Sequence, residues 1–317
     1  MSRILLTAIG SMAAAPVARR YQALGHAVFG CDIYPREWTA LAGELDFFQA
    51  RLATEGEPYV EQLREAVRQD KLDFLIPLTD PEVDALAPRK AEFRALGCTV
   101  CVPEERVAAL CRRKDTMNRF LAEKQVCRLI PTESAVSGQP CPFPFPAMVK
   151  PRSGRSSLGQ AVAADEKSYQ TALAGREDCI VQPFLEGDVF CVDVARDAFG
   201  HTRAAARQEL LRNKSGLGMT VEVLPGHPLE AVCAAIAEAV GLVGVVNMEF
   251  IRHGDDFFFL EVNPRFSGGV GFSMAAGMDF AEMMLCCHSC GSVEAFPAAP
   301  KHALLARESA IVLTQLR

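Results

Sequence analysis

The stretch FFFLEVNPRFSGG, residues 257–269, begins as an apolar strand and ends in a glycine-rich bend. Glu261, Asn263 and Arg265 stand at every second position. On a strand this spacing puts all three on one face. The preceding run NMEFIRH, residues 247–253, reads as its hairpin partner and adds a second acid, Glu249. With a three-residue loop, His253–Gly254–Asp255, Glu249 lies opposite Phe259 and Glu261 is its diagonal neighbour on the same face. A two-residue loop would send Glu261 to the other face, so the three-residue loop is expected. Two carboxylates and an amide oxygen form an all-oxygen set suited to Mg²⁺, which takes its remaining ligands from water and phosphate. Arg265, one step on, can reach a phosphoryl group whose charge spreads during transfer. Solvated acids on an open sheet face would leave Asn-Pro-Arg at the end of an apolar run unexplained.

Two segments upstream fit the same chemistry. AMVKPRSGRSSLGQ, residues 147–160, places Lys150 at a strand end, followed by Ser153, Gly154, Ser156, Ser157 and Gly159. Such a loop leaves backbone and hydroxyl donors free to wrap phosphates. The lysine precedes the glycines, so this is not the P-loop pattern. VQPFLEG, residues 181–187, can offer an adenine edge the Pro183 carbonyl and the Leu185 N–H, because proline keeps its carbonyl.

The first hundred residues alternate strand and helix patterns, which implies a parallel sheet wrapped by helices. Gly10–Ser11, Asp32 and Thr79–Asp80 fall at the carboxyl ends of those strands, where ligands gather. A dinucleotide site is disfavoured, since the first turn, TAIGSMAAAP, lacks the glycines that let backbone approach a pyrophosphate. Residues 104–125 read as one or two helices. The proline-rich PTESAVSGQPCPFPFP, residues 131–146, reads as a linker into a new unit. Further strands follow, with one clean amphipathic helix, PLEAVCAAIAEAVG, ended by Gly241.

A chain of 317 residues is long enough for two or three packed units. A formal charge of −6 argues against a nucleic-acid partner held by bulk electrostatics. The N-terminus reads poorly as a signal peptide and no apolar run is long enough for a membrane span, so a cytoplasmic chain without a membrane partner is expected. The twelve cysteines lie mostly in apolar segments and read as buried free thiols. Two C-x-x-C spacings occur, Cys98/Cys101 and Cys287/Cys290, the latter within CCHSC. The first pair would point to opposite faces of a strand, and the second ends a helix with His288, so neither is read as a metal site.

Together, the strand lysine with its glycine-rich loop, the VQPFLEG strand and the E-x(11)-E-x-N-x-R pattern resemble the ATP-grasp superfamily. The spacing of the last motif is similar to that of biotin carboxylase and the carbamoyl-phosphate synthase large chain. Over nearly its whole length the chain resembles carbamoyl-phosphate-synthase-like ligases, with the pyrrolysine-pathway ligase as a distant relative. The resemblance implies an α/β fold in three parts, an N-terminal parallel domain (1–108), a mobile lid (133–183) and a C-terminal mixed-sheet domain (184–317), with a helical connection (109–132) between the first and the second. It implies ATP with Mg²⁺ or Mn²⁺ between lid and C-terminal sheet. Lys150 and Lys114 would meet the nucleotide phosphates or the adenine side and Ser156 and Ser157 the phosphates, while Gln182, Pro183, Phe184 and Leu185 would meet the adenine. Glu249, Glu261 and Asn263 would hold the metal and Arg265 the phosphoryl group. The acid that holds the ribose in such enzymes is replaced here by Val189, with Asp188 as the expected substitute. Arg207 and Lys214 are candidates for gripping a substrate carboxylate. The implied reaction joins a small carboxylic acid or amino acid to an amine through an acyl phosphate. Alternatives are a phosphotransferase that stops at the phosphoryl step, or an ATP-binding protein without turnover. Related enzymes are often homodimers.

Overall fold

The apolar runs of the first hundred residues form five parallel strands, of which all but the edge strand Asp46–Gln49 are largely buried, as parallel sheets covered by helices are. The structure, a computed structural model, describes residues 1–154 and 158–315. The elements run β1 (Arg3–Leu6), α1 (Ala14–Ala23), β2 (Ala27–Asp32), β3 (Asp46–Gln49), α2 (Glu57–Asp70), β4 (Phe74–Ile76), α3 (Asp80–Leu86), α4 (Lys90–Ala95) and β5 (Thr99–Val100). The strand order is β3-β2-β1-β4-β5. Side chains alternate across the sheet, so Ile4 and Leu6 join one core and Leu5 the other. Cys98 and Cys101 are likewise divided between the two cores. Asp32 is turned inward: its carboxylate accepts from Gly10 N (2.7 Å) and Tyr34 N (3.1 Å), so it braces the first turn.

Helices α5 (Glu105–Arg112) and α6 (Lys114–Lys124) lead to β6 (Arg128–Leu129), which pairs in parallel with a strand far along the chain. A second unit follows from β7 (Glu133–Ala135), β8 (Ala147–Pro151), β9 (Ala161–Ala163), α7 (Glu166–Leu173) and β10 (Cys179–Pro183). Its sheet order is β7-β10-β8-β9, backed by α7. Strand β7 lies in the proline-rich stretch expected to be only a linker.

The remainder is β11 (Asp188–Arg196), β12 (Thr202–Arg212), β13 (Gly218–Val223), α8 (Pro228–Val240), β14 (Gly244–His253), β15 (Asp256–Asn263), α9 (Val270–Ala275), α10 (Phe280–His288) and β16 (Ala303–Ala306). Together with β6 these strands form a seven-stranded sheet, β16-β13-β12-β11-β14-β15-β6. One face, with Phe190, Val192, Met248, Phe250 and Val262, packs on Leu229, Cys233, Ile236 and Val240 of α8. Truncating one such core residue, for example Ile236→Ala, costs about 2–5 kcal/mol. Part of the other face, through Ala195, Ala205 and Val245, joins a core that includes Tyr21 of the first unit and Phe280 of α10. The rest of that face carries the polar residues described next. Cys287 is buried in α10 and Cys290 is exposed beyond its end. Among the described residues no cluster of three or more His, Cys, Asp or Glu is arranged to hold a metal, and no helix is long and apolar enough to cross a membrane.

Candidate active site

The hairpin turn is shorter than the sequence suggests. His253 pairs with Asp256, so the loop is the two residues Gly254–Asp255, with Gly254 at φ 61°. Continued without a break, that register would set Glu249 opposite Leu260 and turn Glu261 into the core beneath α8. A β-bulge intervenes between the Phe250–Phe259 and Glu249–Glu261 pairs. The extra residue, Leu260, restores the face: Glu249 stands directly opposite Glu261, and Asn247 opposite Asn263. The two acids share a face as expected, but through a bulge and as direct partners rather than diagonal ones.

Asn263 Nδ2 donates to both carboxylates, at 3.4 Å to Glu249 Oε1 and 3.3 Å to Glu261 Oε1. Lys114 Nζ lies 2.9 Å from Glu261 Oε2. Burial, and then the neighbouring Glu261, pushes Glu249 up to about 7. For Glu261 burial also acts upward, but Lys114, Lys150 and Asn263 together outweigh it and hold the group below its ordinary value. Two facing carboxylates and an amide, with an ammonium already drawn to one of them, are a donor set that fits a hard divalent cation.

These acids form part of the wall of a cleft of ≈ 410 Å³ between the second unit and the seven-stranded sheet. Lys114, Lys150, Gly154, Gln182, Pro183, Phe184 and Leu185 line it, as the sequence pattern suggests. Ile130, Met148, Val189, Ile251 and Leu260 make an apolar slot that the sequence reading did not identify. Burial, with Lys114 adding, pushes Lys150 down to about 8. Gln182 is held by Thr132, to which its Nε2 donates at 2.7 Å. Ser156 and Ser157 lie outside the described residues.

Other expected site residues lie elsewhere. Asp188 is not at the cleft. It faces away from Val189 and pairs with Arg252, its cross-strand neighbour. Glu186 lines the cleft instead. Arg207 does not present itself to a substrate. It is 1% exposed, with Nη1 on Asp193 (2.5 Å) and Ser273 (3.2 Å), Nη2 on Ser267 (3.1 Å) and Nε on Glu209 (3.2 Å). A guanidinium buried this deeply needs such partners. Lys214 is exposed on the β12–β13 loop. Arg265 is gripped by Asp80 at the start of α3, through two hydrogen bonds of 3.0 Å each. Asp193 was missed, although an acid inside the apolar run FCVDVA marks a buried ion pair. Arg212, which also lines the cleft, carries no such mark.

The family described as "ATP-grasp in the biosynthetic pathway with Ter operon" matches residues 175–309. A formate-dependent phosphoribosylglycinamide formyltransferase of Pseudomonas savastanoi pv. phaseolicola is 28% identical over 222 residues, 64% of this chain and 55% of the relative. The matched region thus spans little more than half the length of that relative. A biotin carboxylase from Campylobacter jejuni, solved as a β,γ-ATP complex, has the same fold with a TM-score of 0.75 at 16% identity, over 96% of this chain and 74% of that one. An L-amino acid ligase from Bacillus licheniformis gives a TM-score of 0.70 at 14% identity, over 90% of this chain and 73% of that one. With three α/β units in this order and paired acids beside a lysine-lined cleft, the chain has the fold of these enzymes, and its residues 175–309 match an ATP-grasp family.

Proposed function

We propose that this chain is an ATP-dependent, ADP-forming carboxylate–amine ligase acting on a small carboxylic acid or amino acid and a small amine. The observation that carries the proposal is the direct pairing of Glu249 with Glu261 at a cleft that also presents Lys114 and Lys150. The apolar slot of Ile251, Leu260 and Val189 suits an adenine ring, with Gln182 and the 183–185 backbone along its edge. The two lysines suit the phosphates. Glu249, Glu261 and Asn263 would hold Mg²⁺ or Mn²⁺, which supplies charge neutralisation on the phosphate oxygens. The relatives' names, a formate-dependent transferase and an amino acid ligase, support an acid and an amine as partners.

A substrate carboxylate oxygen attacks the γ-phosphorus, the bond to the bridging oxygen breaks, and ADP leaves with that electron pair. The amine nitrogen then attacks the carbonyl carbon of the acyl phosphate. The C–O bond breaks, inorganic phosphate leaves, and the nitrogen gives up a proton. The protein's part is to hold the reactants in line and to keep water from the acyl phosphate. The lysines counter charge on the phosphates, and the second unit covers the cleft.

The test is ADP release from Mg·ATP across a panel of carboxylic acids and amino acids, with hydroxylamine as trap. Acid-dependent hydroxamate is the expected product. Phosphate that stays on the substrate would replace the ligase with a phosphotransferase. An absence of acid-dependent ADP release, together with no binding of Mg·ATP, would overturn the proposal.

A further inference from the structure

We infer that Arg212, and not Arg265, is the cation that meets the terminal phosphoryl group, resting on the reading that the cleft takes a nucleotide. Arg265 is already engaged. Its Nε and Nη2 donate to the two oxygens of Asp80, its Nη1 donates to the Phe266 carbonyl, and Asn263 Oδ1 lies 3.5 Å from Nη2. Asp80 is 1% exposed, and the nearest other cation is Arg112 at 3.7 Å. Taking Arg265 away would strand a buried carboxylate, which is costly. Nor does Arg265 line the cleft. It acts as a strut between the first unit and the metal-site strand.

Arg212 has the opposite character. It lines the cleft, with Nη2 3.6 Å from Glu249 Oε2, too far for a hydrogen bond. Its Nε is buried and has no partner among the described residues. A donor in that state awaits an acceptor. Its position depends on a second irregularity in the sheet. On β12 the face of the acids carries Arg207 and Glu209, and regular alternation would continue at residue 211. The pairing with β13 instead shifts on both sides of Leu211, whose side chain is 58% exposed. Arg212 is thereby turned into the cleft beside Glu249. Bulges commonly re-aim a side chain next to a site in this way. A cation beside a metal-binding acid faces the oxygens that the metal would also neutralise, and on a nucleotide those belong to the terminal phosphates.

Calorimetric binding of Mg·AMPPNP and Mg·ADP to the intact chain separates the two arginines. Arg212→Gln should weaken Mg·AMPPNP about tenfold or more, as loss of a charge-assisted hydrogen bond predicts, and leave Mg·ADP nearly unchanged. Arg212→Lys should recover part of the loss. Arg265→Gln should leave the ratio of the two affinities unchanged while lowering the melting temperature, since Asp80 loses its partner. An unchanged ratio in Arg212→Gln, or a collapsed one in Arg265→Gln, overturns the assignment. If the unaltered chain binds neither nucleotide, the reading of the cleft fails and this inference with it, an outcome seen before any variant is made.

Discussion

Replacing Asp193 with Asn tests how the floor of the site is held. Asp193 accepts four donors: Arg207 Nη1 at 2.5 Å, Ser273 Oγ at 2.7 Å, Ser267 Oγ at 2.8 Å and Asn247 Nδ2 at 3.3 Å. Asn has nearly the same shape but no charge, and it puts an NH₂ where only acceptors serve. Arg207 would keep Glu209 alone as counter-ion, at 3.2 Å. Breaking a buried pair by removing one partner costs about 3–5 kcal/mol, a large share of the roughly 5–15 kcal/mol that holds a typical domain. Urea unfolding followed by far-UV circular dichroism measures the loss. Arg207→Met should cost more, because it strands two buried acids rather than one cation. A loss below about 1 kcal/mol for Asp193→Asn would show that the network contributes little, and a smaller loss for Arg207→Met than for Asp193→Asn would refute the ordering.

Glu261→Gln should leave the circular dichroism spectrum intact and reduce ADP formation by about two orders of magnitude or more; near-normal turnover would remove this acid from the proposed metal site. Gly187→Ala should destabilise the start of β11 and weaken nucleotide binding, because an added Cβ would stand 1.7 Å from the Arg252 backbone oxygen, which cannot step aside; a melting temperature within a degree or so of the parent would contradict this packing. His288 is pushed down to about 3 by burial and, secondarily, by Lys90. The unfolded chain therefore takes up this proton first, and stability falls as pH drops from about 6.5 towards 3. Between pH 6.5 and 5 the group accounts for on the order of 2 kcal/mol. His288→Gln should flatten the pH dependence of the urea midpoint over that span, and an unchanged slope would place the titration elsewhere.

The periodicity of the chain made much of this legible. Strand and helix alternation pointed to the parallel first unit, and every-second spacing of Glu261, Asn263 and Arg265 pointed to one face of β15. What escaped were features set by local departures from regular pairing. Nothing in FFFLEVN marks Leu260 as a bulge, so the shared face of Glu249 and Glu261 was reached through the wrong loop length. Arg212 escaped for the same reason, as an even-numbered residue after a site-facing odd series. Arg207 was misread because charge on a strand looks the same whether it meets substrate or a buried acid; only the placement of Asp193, Ser267 and Ser273 decides. Strand β7 was hidden among prolines because it pairs with β10, more than forty residues away.

Strand β6 is two residues long, yet it matters for how the chain can be divided. It lies in parallel beside Phe258 and Phe259 and covers what would otherwise be the bare hydrogen-bonding margin of the strand that carries Glu261. A fragment cut to begin at residue 133 would lose that cover and Lys114 together. Its exposed margin would invite pairing between molecules, so excising the part from residue 133 onward should yield an aggregating species rather than a smaller folded unit.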